Sequence, residues 1–156
     1  MPRYWLMKSE PSVFSIDDLA RAKDRTTRWD GVRNYQARNM LRSEIAVGDG
    51  VLFYHSSAEP PAVAGTARVV RAGYPDPTQF DPRDSHYDRD SQRDDPRWYA
   101  VDIQFDTKFT RDVTLPELRE TKSLADMVLL RRGSRLSVQP VTAAEWKQIL
   151  KMGAKA

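Results

Sequence analysis

From Trp98 to Phe109 the chain alternates. Ala100, Asp102 and Gln104 share one side of a two-residue period, and Val101, Ile103 and Phe105 share the other. That pattern predicts a half-buried strand, and a half-buried strand needs partners and a covering layer. Partners are present. Residues 3–8 are aromatic and apolar and predict a first strand, ended by Ser9-Glu10-Pro11 because proline cannot continue a ladder. Residues 51–55 (Val-Leu-Phe-Tyr-His) follow the Val47-Gly48-Asp49-Gly50 turn, and residues 62–72 form a small-residue-rich strand. Gly65 inside that strand predicts a bulge or a close backbone approach. Residues 135–140 predict the last strand, stopped by Pro140.

The covering layer is written in helix-start signals. Ser15/Asp18, Thr114/Glu117 and Thr142/Glu145 each fit a capping box, in which the two side chains satisfy each other's backbone N–H groups. Phe14 with Leu19, and Val141 with Trp146, are placed as hydrophobic staples. The first helix should run from Ser15 to about Lys23, with Asp24 to Arg28 as polar connector. Asn34 can cap a second short helix to about Arg42, Ser123 can open a further turn, and Gly153 suits the C′ position of the last helix. Strands broken by short helices, with no βαβ rhythm, predict an α+β fold: a small twisted β-barrel or strongly curved sheet of about five strands with helices around it.

At 156 residues the chain is long enough for one domain with a real core. No apolar run approaches the roughly 18 residues of a membrane span, and the N-terminus lacks a signal peptide's apolar core. There is no cysteine, which removes disulfides and Cys-based chemistry and agrees with a cytoplasmic protein. Net charge is +3 and the isoelectric point about 9.3. Residues 74–97 hold seven Asp and four Arg, a net −3, so the rest of the chain carries +6. One acidic loop with three Asp-Pro steps is therefore set against a basic body, which suits one nucleic-acid-facing side. A loop of that length in a compact domain is usually functional or mobile.

Conventional catalytic signatures are missing. There is no GxxxxGK[ST], GxGxxG or GxSxG. His55 and His86 are the two histidines; Asp84-Ser85-His86-Tyr87-Asp88 has metal-ligand types but not zinc-like spacing. Ser56 and Ser57 follow His55 on a strand end, where neighbouring side chains point to opposite faces. No metal and no cofactor is expected.

The stretch from Trp29 to Asn39 (Trp-Asp-Gly-Val-Arg-Asn-Tyr-Gln-Ala-Arg-Asn) stands out chemically. It offers rings for stacking, amides at Asn34, Gln36 and Asn39 that donate and accept, and guanidiniums for phosphate. Amides read base edges, and unstacked bases sit on aromatic planes. The plainer reading makes it a loop-to-helix junction, with Trp29 in the core and Asn34 as cap. Trp5 and Trp98, both in strands, read as core.

Trp5-Leu6-Met7-Lys8-Ser9-Glu10-Pro11, the Trp29–Asn39 stretch, and Gly48-Asp49 followed by Phe53-Tyr54-His55-Ser56 together resemble the EVE domain. So do Tyr87-Asp88 with Pro96-Arg97-Trp98, and Arg135-Leu136-Ser137-Val138-Gln139-Pro140-Val141. The resemblance runs in order from about residue 3 to 150, so residues 1–156 read as a single EVE domain. It implies a PUA-like mixed β-barrel and a non-catalytic module with a pocket for a modified nucleobase, modified cytosine in DNA first and modified RNA second. Carried over by position, the ligand-binding residues would be Lys8, Ser9 and Glu10; Trp29, Asn34, Tyr35, Gln36, Arg38 and Asn39; Tyr54, His55 and Ser56; and Arg135 and Ser137. Arg33, Arg38, Arg42 and Arg135 would hold the backbone. The expected partner is nucleic acid carrying a modified base, with no membrane and a monomer favoured. The alternatives are a nucleic-acid- or nucleotide-modifying enzyme using Glu10 or Asp30 as general base, and a plain interaction module without a pocket.

Overall fold

The structure is a computed structural model that describes residues 2–133 and 135–154. Six strands form one mixed sheet: β1 (Tyr4–Ser9), β2 (Thr26–Trp29), β3 (Gly50–His55), β4 (Ala62–Pro75), β5 (Tyr99–Thr114) and β6 (Val138–Val141), in the order β2-β5-β4-β3-β1-β6. The edge strands β2 and β6 are not paired with each other, so the curved sheet is a loose, open barrel. Around it lie α1 (Ile16–Arg21), α2 (Tyr35–Ser43), α3 (Leu115–Glu120) and α4 (Ala143–Gly153). The fold class is α+β, as the patterning predicts.

The pleat divides the core in two. Trp5 and Met7 of β1, Val51 and Phe53 of β3, and Val101 and Ile103 of β5 pack with α1 and α2 on one side. Leu6, Leu52, Phe109 and Val113 pack with α3 and α4 on the other. Alternate side chains of one strand thus serve opposite cores. At about 1.5–3 kcal/mol for each fully buried large apolar side chain, both layers contribute heavily. Long β4 and β5 follow the curve through several register shifts, one of them between Val63 and Gly65. A Cβ on Gly65 would stand 2.2 Å from the Thr107 carbonyl oxygen, so the close approach predicted there is real.

All three capping boxes form, at Ser15/Asp18, Thr114/Glu117 and Thr142/Glu145. Asn34 caps α2 through Oδ1, which accepts from the Ala37 N–H at 3.0 Å. Four expectations change. The last strand, β6, covers Val138–Val141, so Pro140 lies inside it opposite Trp5 and does not end it. The stretch expected as polar connector holds a 3₁₀ turn at Lys23–Arg25 and β2, a short polar edge strand that hydropathy does not mark. β1 and β3 pair in parallel, joined through α1, β2 and α2, so a crossover connection exists where no such rhythm was legible. Gly153 lies inside α4, against the Phe109 ring, and Ala154 is the C-cap.

Asp49 fastens the N-terminal half. Its buried carboxylate accepts from the Arg3 N–H (3.0 Å), the Trp5 indole N–H (2.9 Å) and the Ala46 N–H (2.9 Å). Trp5, as expected, is core.

Candidate nucleic-acid interface

Where β1 and β2 end, the turn into α2 leaves a cleft of about 860 Å³. Lys8, Ser9 and Glu10 come from the end of β1, and Thr27, Arg28, Trp29 and Asp30 from β2 and its exit. Gly31 to Asn34 form the turn, Val13 and Phe14 supply apolar surface, and Ser137 enters from the segment before β6. Trp29 is half-buried and held edge-on by Phe53, with ring centroids 5.8 Å apart and planes at 87°. Its indole packs against the first core layer and stays partly exposed at the cleft. Ser137 is fixed by its carbonyl, which accepts the Lys8 N–H at 2.9 Å. Ser9 Oγ donates to the Phe14 carbonyl. Asn34 uses Oδ1 for the cap, which leaves its amide N–H pair for the cleft.

The acidic loop closes one side of the cleft, and it is ordered by buried hydrogen bonds. The Asp76 carboxylate is fully buried. It accepts from the Gly31 N–H (2.8 Å), the Thr78 N–H (2.8 Å), the Thr78 hydroxyl (2.6 Å) and Arg33 Nη1 (3.1 Å). Burial pushes this carboxyl up, but hydrogen bonds from Thr78, Gly31 and Arg33 outweigh it and hold it below the usual carboxylate range. Arg33 Nη2 also donates to Thr78 Oγ1 and to the His86 carbonyl. Gln79, buried, joins the Asp76 and Trp98 carbonyls through its amide nitrogen and receives the Ser91 hydroxyl and the Trp98 N–H. His86 is thereby laid against Gly31: a Cβ on Gly31, whose φ is +75°, would meet the imidazole at 2.8 Å. Among the described residues of this loop, His86 alone lines the cleft.

Other residues named from sequence lie elsewhere. Tyr35 stacks on Trp98 at 4.9 Å, beside the cleft, with the Arg38 guanidinium 5.0 Å from the Tyr35 ring. Arg38 also donates to Asn39 Oδ1 and the Arg97 carbonyl. Tyr35, Gln36 and Asn39 form the exposed face of α2, and Arg42 is exposed near its end. Trp98 is buried, as expected, and its indole N–H donates to Asp88. His55 turns toward α1, where Nε2 accepts the Ile16 N–H at 3.0 Å; burial lowers its pKa. Ser56 binds through its N–H to the Ser9 carbonyl. Arg135 is exposed before β6. Asp84, weighed as a metal ligand, instead binds His86 at both its N–H and Nδ1.

Tyr54 lines a second hollow, of about 560 Å³, beneath α3. Lys8 belongs to both hollows. Thr27, Arg28, Asp30, Gly31, Val32, Arg33 and His86 of the cleft are not among the carried-over positions. The Asp30–Val32–Arg33 group lies inside the stretch singled out by its chemistry, whereas His86 comes from a distant part of the chain and has no local signal.

The curved, open mixed sheet with a cleft of mixed charge at its strand ends agrees with the PUA-like fold that the resemblance implies. The family model for the EVE domain matches residues 3–152, and the chain belongs to that family. It is similar to thymocyte nuclear protein 1 of Danio rerio, 44% identical over 95% of this chain and 71% of the relative. A Pseudomonas putida protein solved by crystallography is 48% identical, with a TM-score of 0.91 over 96% of this chain and 99% of the other. Human THYN1, solved in complex with 5-methylcytosine-containing DNA, is 42% identical, with a TM-score of 0.90 over 99% of each chain.

Proposed function

We propose that this protein binds nucleic acid carrying a modified base, with modified cytosine in DNA as the favoured ligand, and that the turned-out base enters the cleft beside Trp29. The observation that carries this reading is the cleft itself. Its size is in the range of small-ligand sites. Within it one indole offers a stacking plane, and Asn34, Ser9 and Ser137 offer hydrogen-bonding groups to a base edge. The complex of the similar human THYN1 with 5-methylcytosine-containing DNA supports the ligand class.

Magnitudes favour a reader that combines several weak terms. Turning a base out of its stack costs a few kcal/mol. Stacking on an aromatic returns about 1–3 kcal/mol. An added methyl buried against Val13, Phe14 or Val32 contributes about 0.8 kcal/mol, roughly a fourfold preference. A binding role is favoured over catalysis because Asp30, one candidate general base, is engaged by Arg28 Nε at 2.7 Å. Glu10 remains a carboxylate in the cleft; turnover of a nucleoside substrate, lost in Glu10→Gln, would reverse that preference.

Titration with DNA and RNA strands that differ only in a cytosine 5-methyl group tests the reading. Tighter binding of the methylated strand, weakened about 10-fold or more in Trp29→Ala as one stacking plane is removed, is the expected result. Equal affinity for methylated and unmethylated strands overturns it.

A further inference from the structure

The second hollow is built differently from the first. It is lined by Lys8, Arg119, Arg131 and Arg132, by Tyr54, and by Leu115, Leu129 and Leu130. No carboxylate lines it among the described residues. Nor does any of these four cations lie within 4.0 Å of a carboxylate among the described residues, whereas Arg33, Arg97 and Arg111 are each paired. Four cations around one concavity repel one another unless an anion joins them. The fold pays for that convergence twice, since Lys8 is also half-buried and its pKa is lowered by burial.

The pleat explains how Lys8 links the two hollows. In the parallel pair of β1 and β3, Lys8 lies opposite Tyr54, and Ser9 lies opposite His55. Lys8 therefore leaves the sheet on Tyr54's side while Ser9 leaves it on the cleft side. The loop before β6 does the same at the other wall, with Arg131 and Arg132 at the second hollow and Ser137 at the cleft. The two cavities are neighbours across one strand end.

We propose that this second hollow is a phosphate subsite, taking the phosphate group attached to the nucleotide whose base occupies the cleft. This rests on the cleft being the base site. A phosphate is a compact acceptor that several guanidiniums and an ammonium can share, and Tyr54 adds a neutral donor. The same chemistry comes from two sources, a strand phosphodiester and the 5′-phosphate of a free nucleotide, and the test separates them.

Calorimetric titration is done with three ligands: 5-methyl-2′-deoxycytidine, its 5′-monophosphate, and a short single strand carrying one 5-methylcytosine. Each is repeated with its unmethylated counterpart. The wild-type protein is compared with Arg119→Gln/Arg132→Gln, whose side chains are exposed; Arg131→Gln is the second variant should the double one melt early. The expected result is a loss of about 10-fold or more for the phosphate-bearing ligands, with nucleoside affinity unchanged. The salt dependence should also become shallower by about 0.7 in log–log slope for each strand phosphate that the variant no longer neutralises. Loss with both phosphate ligands supports a site for the nucleotide's own phosphate; loss with the strand alone supports a phosphodiester site. Unchanged binding of all three, or equal loss for the nucleoside, overturns the proposal. Failure to distinguish methylated from unmethylated ligands sinks the base-reading function instead, because the phosphate increment is measured within each series.

Discussion

Arg33 and Asp76 stand 43 residues apart in sequence and 3.1 Å apart in space, and their ion pair fastens the acidic loop to the turn that forms the cleft. Asp76 is wholly buried, so replacing it with asparagine removes the charge facing Arg33 and turns one acceptor oxygen into an NH2 donor, leaving one of two backbone N–H groups, Gly31 or Thr78, without its acceptor. Asp76→Asn should cost about 3–5 kcal/mol, the range for breaking a buried pair. The Arg33→Met/Asp76→Asn double variant should cost less than the sum of its parts, read from urea midpoints. The pH sign follows from the lowered pKa of Asp76. Its contribution is complete above the ordinary carboxylate value near 3.8 and disappears as pH falls through the lower, folded-state value.

Gly31 and His86 give a prediction about shape. Gly31→Ala meets two penalties: a φ of +75° and the imidazole 2.8 Å from the new Cβ. The first is worth about 1–2 kcal/mol for a residue with a side chain. Adding His86→Ala should remove the clash and leave the backbone strain, so the double variant should be more stable than Gly31→Ala alone. A double variant no more stable than Gly31→Ala would mean that the imidazole exerts no steric pressure there.

His55 predicts a slope in stability on the acid side of neutrality. Nε2 must be unprotonated to accept the Ile16 N–H, and burial lowers its pKa below the ordinary 6.5. The unfolded chain therefore takes up the proton first. Stability is complete above the ordinary value of 6.5 and falls as pH drops from there through the lowered value. Urea midpoints measured from about pH 7.5 down to about pH 5 should show the decline, and His55→Gln should flatten it.

Gly65 tests how tightly β4 and β5 are laid together. The atom that would meet a new Cβ, at 2.2 Å, is the main-chain oxygen of Thr107, which no rotamer change can move. Gly65→Ala should cost about 3 kcal/mol, at the upper end for overpacking. For a chain of this size that lowers the melting temperature by roughly 6–12 °C.

The helix starts were legible because capping is local: Ser15 and Asp18, or Thr142 and Glu145, act across three residues. The strands that show alternation or dense apolar content were legible for the same reason. β2 was not, because Thr26-Thr27-Arg28-Trp29 takes its conformation from pairing with β5, far along the chain. In the cleft, Lys8, Ser9, Glu10, Trp29, Asn34 and Ser137 were named from sequence and do converge. Tyr54, His55 and Ser56 were named with them, yet alternate pleats send Tyr54 and His55 to opposite sides of the sheet and turn Ser56's N–H back to Ser9. The loop's part was hidden because its anchor, Asp76, looks in sequence like any other Asp-Pro step.

β1 is clasped on both edges, parallel to β3 and antiparallel to β6, and at its end Lys8 is still tied to Ser137. One jaw of the cleft is therefore set in masonry before any guest arrives. Under the proposed function a base meets a template already cut on this side, and selection works by refusing misfits more than by moulding around them. The opposite jaw, the acidic loop, is pinned from beneath by the Asp76 carboxylate and the Gln79 amide.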